Sequence, residues 1–332
     1  MPTHTGDSLT QFHLLLEYLS TGPSPVAKHR WQRWEIETIG GGMNNRVLRV
    51  TADGIAFAVK FTRQDGRDRA GREWNTLGVL QAAGLSIAPV PVLLERDRYP
   101  HPVVVQSWED GTVTDEPPTS NDDWGALLVH LYTVHSLTAD KVDRPLPKTV
   151  LTMKSADEAL ATIRLQSSQL PEAGWTQELH ELLGMAERIA WPDWPPVTET
   201  LCRADPNIRN FVQRPRLWKS VDWEYSGWCD PAFEIADLIV HPSYERVTEE
   251  RWEWVIERYV SQSADSGLEE RIRVYRVLML VWWRVRLARY LHENNADTSN
   301  LLVQLPDGWR SEKERQIQNY SKRATDALQE WQ

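Results

Sequence analysis

The sequence predicts an α+β protein in two parts, a small antiparallel sheet with one helix followed by a larger, mainly helical region. Three observations predict it: glycine-punctuated runs of β-branched and aromatic residues between Trp34 and Trp108, a polar, proline-bearing stretch at Glu109–Asp123, and helical periodicity through most of the chain beyond Trp124. The expected division is residues 1–108 and residues 109–332.

Leu9, Phe12, Leu15, Leu16 and Leu19 recur at helical spacing and predict a lead-in helix, stopped by Gly22 and Pro23. The period then changes. Trp34–Ile39, Arg46–Thr51 and Ile55–Thr62 read as strands separated by Gly40-Gly41-Gly42 and by the Asp53-Gly54 turn. Arg67–Ala83 reads as a helix closed by Gly84, and Val90–Leu94 and Pro102–Trp108 complete a five-stranded antiparallel sheet. Further helices are expected at Trp124–Leu137, Gln177–Ala190, Glu249–Ser261, Glu270–His292 and Ser311–Trp331. Two short strands, Asn210–Gln213 and Leu217–Asp222, interrupt them around Arg214-Pro215. No internal repeat or low-complexity tract is apparent.

Composition removes several classes of function. The chain has 332 residues and a formal net charge of -10, the wrong sign for a nucleic-acid or anionic-membrane partner and one that favours cationic ligands. Two cysteines, Cys202 and Cys229, are too few for a disulfide framework and fit a reducing cytoplasm. The N-terminal stretch has no basic n-region, and Val277–Trp283, the most apolar later run, is too short to span a bilayer. The 17 tryptophans are read mainly as core.

Chemistry concentrates in three places. Gly40–Asn45 lies between two expected strands, where small residues let backbone amides approach a polyphosphate, although a glycine-rich hairpin is often only a turn. Lys60 stands in the otherwise apolar strand Ala56–Phe61, where a buried ammonium needs a partner, and Glu73 on the following helix can supply it. Such a strand-lysine and helix-glutamate pair grips nucleotide phosphates in kinases. The third place is Cys202–Asn210 with Val221–Glu224. Asp205 has the position of a hydroxyl-proton acceptor, and Asn210 five residues later and Asp222 after the next strand have those of magnesium ligands. Turn-capping carboxylates alone explain neither this spacing nor the upstream lysine. His130 and His135 read as helix-packing or hydrogen-bonding residues, because no zinc-site spacing accompanies them.

Together these residues resemble the aminoglycoside phosphotransferase and choline kinase-like superfamily, over nearly the whole chain from about Trp34. Gly41-Gly42-Met43-Asn44-Asn45 is similar to its nucleotide loop, Val59-Lys60 to its phosphate lysine, Glu73 to its helix glutamate and Leu131–His135 to its Leu-x-x-x-His helix. Val221–Tyr225, Asp230-Pro231 and Glu234-Ile235-Ala236 resemble its metal-binding strand and the helix after it. The resemblance implies a protein-kinase-like two-lobed fold, with ATP or GTP in the cleft and magnesium on Asn210 and Asp222. Asp205 would be the base, Lys60 and Glu73 the phosphate grip, and Ser107 and Trp108 would offer backbone groups to the nucleotide base. The acceptor implied is a small-molecule hydroxyl, with Glu224, Asp230 and Glu234 as candidate contacts for an amine-bearing one.

One departure stands out. Where the family usually has His-Gly-Asp, this chain has Arg203-Ala204-Asp205, and Asn207 occupies a place where many kinases carry lysine. A nucleotide-binding pseudokinase acting as an interaction module therefore stays open, as does a kinase for a neutral acceptor such as a macrolide or sugar. A protein kinase is disfavoured by the missing Asp-Phe-Gly and Ala-Pro-Glu landmarks.

Overall fold

The computed structural model describes residues 6–21, 28–39, 45–215, 217–296, 305 and 307–332. These residues fall into two compact units, 6–110 and 111–332.

The first unit opens with helix α1 (Gly6–Thr21), followed by strands β1 (Lys28–Trp31), β2 (Trp34–Ile39), β3 (Asn45–Ala52) and β4 (Ile55–Thr62). Helix α2 (Arg69–Ala82) and strands β5 (Pro91–Glu95) and β6 (Val103–Ser107) complete it. All neighbouring strands pair antiparallel in the order β1-β2-β3-β4-β6-β5. The sheet thus has six strands, not the expected five. The extra one, Lys28–Trp31, is a short edge strand whose sequence Lys-His-Arg-Trp shows no apolar alternation.

Turn chemistry sets the register. Asp53 and Gly54 both have positive φ, 51° and 77°, the geometry a two-residue hairpin between right-twisted strands requires. Gly84, at φ 71°, closes α2, and its N–H and that of Leu85 return to the carbonyls of Gln81 and Leu80. Phe12, Leu15, Leu16 and Leu19 of α1 pack in one core with Ile36, Leu48, Val50, Val59, Phe61, Val103 and Val105 from alternate positions of the sheet.

The second unit begins its regular structure with α3 (Asn121–His135), α4 (Ala156–Ser167) and α5 (Gln177–Arg188). Strands β7 (Thr200–Cys202), β8 (Phe211–Val212), β9 (Lys219–Ser220) and β10 (Gly227–Cys229) follow. Helices α6 (Pro231–Val240), α7 (Glu249–Val260), α8 (Leu268–Ala296) and α9 (Trp309–Gln329) end it. Two antiparallel ribbons, β7 with β10 and β8 with β9, are embedded among the helices. The core gathers Leu127 and Leu131 of α3, Ile235 and Ile239 of α6, and Ile272, Leu278 and Val285 of α8. None of the 17 tryptophans is exposed, and Trp124, Trp218, Trp223 and Trp252 are fully enclosed, so their number reflects packing. No described helix is long and apolar enough to cross a membrane.

Candidate active site

In the first unit Lys60 and Glu73 meet. Lys60 lies mid-strand in β4, opposite Val47 of β3 and Val104 of β6, so its side chain leaves a sheet interior with little water to solvate it. Its Nζ donates to Glu73 Oε2 at 2.7 Å, with the side chains 4% and 0% exposed. At this burial either charge alone is costly, so each is the reason the other is tolerated. Asn45, at the start of β3, is also buried. Gly41, Gly42 and Asn44 lie outside the described residues.

At the end of the sheet, the backbone N–H of Ser107 donates to the Val90 carbonyl at 2.9 Å and that of Trp108 to Ala56 at 3.1 Å. Those two donors are therefore committed to the fold, leaving carbonyls as the backbone groups Ser107 and Trp108 can offer a base. The Ser107 hydroxyl accepts from the Val90 N–H and donates to Glu109.

In the second unit, β7 ends at Cys202 and the loop bearing Asp205 begins. Ala204 sits at φ 55°, a left-handed conformation that costs an L-residue about 1–2 kcal/mol. The loop is held open in that shape by Glu234 of α6, whose Oε1 accepts from the N–H groups of Arg203 at 2.7 Å and Ala204 at 2.9 Å. The other oxygen of Glu234 bonds His135 Nε2 at 2.6 Å, and His135 Nδ1 meets the Tyr259 hydroxyl at 2.6 Å. Burial works to raise the Glu234 pKa, but the hydrogen bond and charge of His135 and the Ala204 amide outweigh it, and the net shift is downward. An ionised carboxylate bracing two backbone donors is the result.

Asp205 accepts from the Asn207 N–H at 3.2 Å through one oxygen and from Asn210 Nδ2 at 3.0 Å through the other. Burial, then the neighbouring Asp222 charge, push its carboxyl up to about 6, against the pull of the Arg203 guanidinium and the Asn207 amide. Asn210 is buried at the head of β8, and the Val221 N–H donates to its carbonyl at 2.8 Å, which carries the β8–β9 pairing up to the residue before Asp222. Asp222 itself has φ 63°. The ribbon thus delivers Asn210 and Asp222 to one end, beside Asp205.

Oxygen donors dominate this set, and the mutual repulsion that lifts Asp205 is what a hard divalent cation relieves. Asn210 turns its amide nitrogen to Asp205, leaving the amide oxygen for a metal. The residues present therefore fit magnesium, with Asn210 and Asp222 as the candidates to hold it.

The three acidic residues expected near an acceptor differ in placement. Asp230 is 2% exposed, caps α6 by accepting from the Ala232 N–H at 2.9 Å, and forms an ion pair with Arg271 at 2.8 Å. Glu234 is the loop brace just described. Both are engaged inside the fold, and Glu224 is buried as well.

Two residues carry more than the sequence indicated. Arg203 is completely buried behind the Asp205 loop, and Asp237 of α6 is buried and accepts from Trp283 Nε1 at 3.2 Å. Burial, and less strongly the charges of Asp205 and Glu234, push the Asp237 carboxyl up to about 8 despite that hydrogen bond. Its place three residues after Glu234, on the next turn of the helix, is the one signal that could have flagged it. Cys202 and Cys229 are free buried thiols, and His130 is held between the Trp218 carbonyl and the Ser220 hydroxyl, each 3.0 Å away.

A comparison with curated proteins by sequence returns no match. Solved structures with the same fold are numerous. A choline/ethanolamine kinase family protein from Mesorhizobium loti superposes with a TM-score of 0.61 at 17% identity, covering 93% of this chain and 89% of that one. The choline kinase LicA from Streptococcus pneumoniae gives 0.61 at 18%, covering 98% and 100%. A spectinomycin phosphotransferase, APH(9)-Ia, in complex with ADP and spectinomycin, gives 0.60 at 12%, covering 96% and 98%. The model of the phosphotransferase enzyme family, APH, matches residues 35–275. With that match over most of its length and the protein-kinase-like fold of its structural neighbours, the chain belongs to the phosphotransferase enzyme family.

Proposed function

We propose that the protein is an ATP- and magnesium-dependent kinase that transfers a γ-phosphoryl group to a hydroxyl of a small molecule. The observation that carries this reading is the Asp205–Asn210 pair at the head of the β8–β9 ribbon, with Asp222 at the same end. In the proposed mechanism Asp205 accepts a hydrogen bond from the acceptor hydroxyl and takes its proton as the oxygen attacks the γ-phosphorus, whose bond to the β–γ bridging oxygen breaks and releases ADP. Asn210 and Asp222 would hold magnesium, which when bound would neutralise phosphate charge, and Lys60, fixed by Glu73, would contact the nucleotide phosphates. Family membership and neighbours crystallised with ADP or AMP-PNP support a nucleoside triphosphate as donor.

The acceptor we favour carries an amine. The net charge of -10, Glu224 and the half-buried Trp283 support that class, since a cation over an aromatic face gains roughly 0.5–2 kcal/mol. The test is transfer from γ-labelled ATP across matched acceptor pairs, one with the amine and one with a hydroxyl in its place. Higher kcat/KM for the amine member is expected. Equal or better turnover of neutral members, macrolides and sugars included, would remove the amine while keeping the kinase, and labelling of no hydroxyl compound by a protein that binds ATP would favour an interaction module.

A further inference from the structure

The Arg203 side chain touches Asp205 and a residue next to each of Asn210 and Asp222. Its Nη2 donates to the carbonyl of Asp205 at 3.3 Å and to that of Val221, the residue before Asp222, at 3.0 Å. Its guanidinium carbon lies 5.1 Å from the ring of Phe211, the residue after Asn210, and 4.7 Å from that of Trp223, the residue after Asp222. The side chain is 0% exposed, and its Nε and Nη1 have no hydrogen-bond partner among the described residues.

That is an expensive way to fill space. A guanidinium cannot shed its charge at ordinary pH, and buried donors without acceptors lose their hydration with nothing in return. An aliphatic side chain of similar length would fill the same volume without that cost. What it could not do is join two backbone carbonyls from segments 16 residues apart in sequence while stacking on two rings.

We propose that Arg203 is a positioning residue that fixes the Asp205 loop against the segments carrying Asn210 and Asp222, in the place where the family's usual sequence has histidine. The proposal rests on the kinase reading above. It assigns Arg203 no contact with substrate. Its effect is on the relative placement of base and metal ligands, so its loss acts on metal-dependent steps more than on nucleotide contacts made elsewhere.

The test compares wild type with Arg203→Met, Arg203→Lys and Arg203→His in the full chain, measuring ADP binding with and without magnesium by calorimetry. For Arg203→Met, magnesium-free ADP affinity should stay within about threefold, while its enhancement by magnesium and kcat each fall about tenfold or more, with KM for ATP little changed. Backbone hydrogen exchange should quicken in residues 204–210 and 221–224 and stay unchanged in α8. Arg203→Lys, which keeps a donor and the charge, should recover part of the loss. If Arg203→Met does not fold, Arg203→His and Arg203→Lys carry the same comparison. Wild-type magnesium enhancement and kcat in the folded variants would overturn the positioning role. Wild-type protein whose ADP binding ignores magnesium would instead count against the kinase reading itself.

Discussion

The backbone N–H of Ala204 lies 2.9 Å from the Glu234 carboxylate while Ala204 itself is held at φ 55°. One residue supplies the strain and the other the restraint. The chain keeps a left-handed loop without the glycine that makes such a loop inexpensive, because an ionised carboxylate from α6 fixes both amides at the bend.

Replacing Ala204 with glycine removes the Cβ clash of the left-handed conformation but adds chain entropy to the unfolded state. The first effect is the larger, so Ala204→Gly should stabilise by about 0.5–1 kcal/mol. Urea unfolding should show a higher midpoint with an unchanged slope. A lower midpoint would mean that the loop does not hold Ala204 at positive φ.

Glu234→Ala should cost about 3 kcal/mol or more, since it leaves two buried amides and His135 without their acceptor. Glu234→Gln should cost less, because one oxygen can still serve the loop amides. Chemical denaturation orders the two, and equal stability of wild type and Glu234→Ala would remove the brace.

Lys60 and Glu73 should behave as a unit. Each alanine substitution strands the other charge in a site below 5% exposed, so a double-mutant cycle on stability should give a coupling of about 1–3 kcal/mol. Additive effects would separate them.

The raised pKa of Asp205 has a stability consequence with a definite sign. Between its ordinary 3.8 and about 6 the folded protein binds more protons at this carboxyl than the unfolded chain. Stability contributed here is therefore greatest below that window and lost as pH rises through about 6. Asp205→Asn, measured without magnesium, should gain about 1 kcal/mol or more over wild type at pH above about 7 and little near pH 4. A constant difference across pH would place the shift elsewhere.

Much of this is legible in the sequence. The Asp53-Gly54 turn, the Gly84 stop and the apolar spacing of α1 are local codes, each written within a few residues. The Lys60–Glu73 pairing could be anticipated because a lysine in an apolar strand demands a counter-charge. Strand β1 was not legible, since an edge strand needs no apolar alternation, and β7 and β10 are three residues each, too short for any period. Helix α4 has local signals, since Ser155 caps it and Asp157 and Glu158 fill its first turn, but its large apolar residues are too few to mark it by period. Asp230 and Glu234 lie near Asp222 in sequence, but their partners, Arg271 and the Asp205 loop, are distant in sequence and no local pattern announces them.

A base at Asp205 for phosphoryl transfer to a hydroxyl is decided by comparing wild type with Asp205→Asn on a single identified acceptor. Transfer from γ-labelled ATP should give a phosphorylated product in wild type and a kcat lower by about a hundredfold or more in the variant, with ADP affinity kept within about threefold. Equal kcat in the two proteins would remove Asp205 from the reaction.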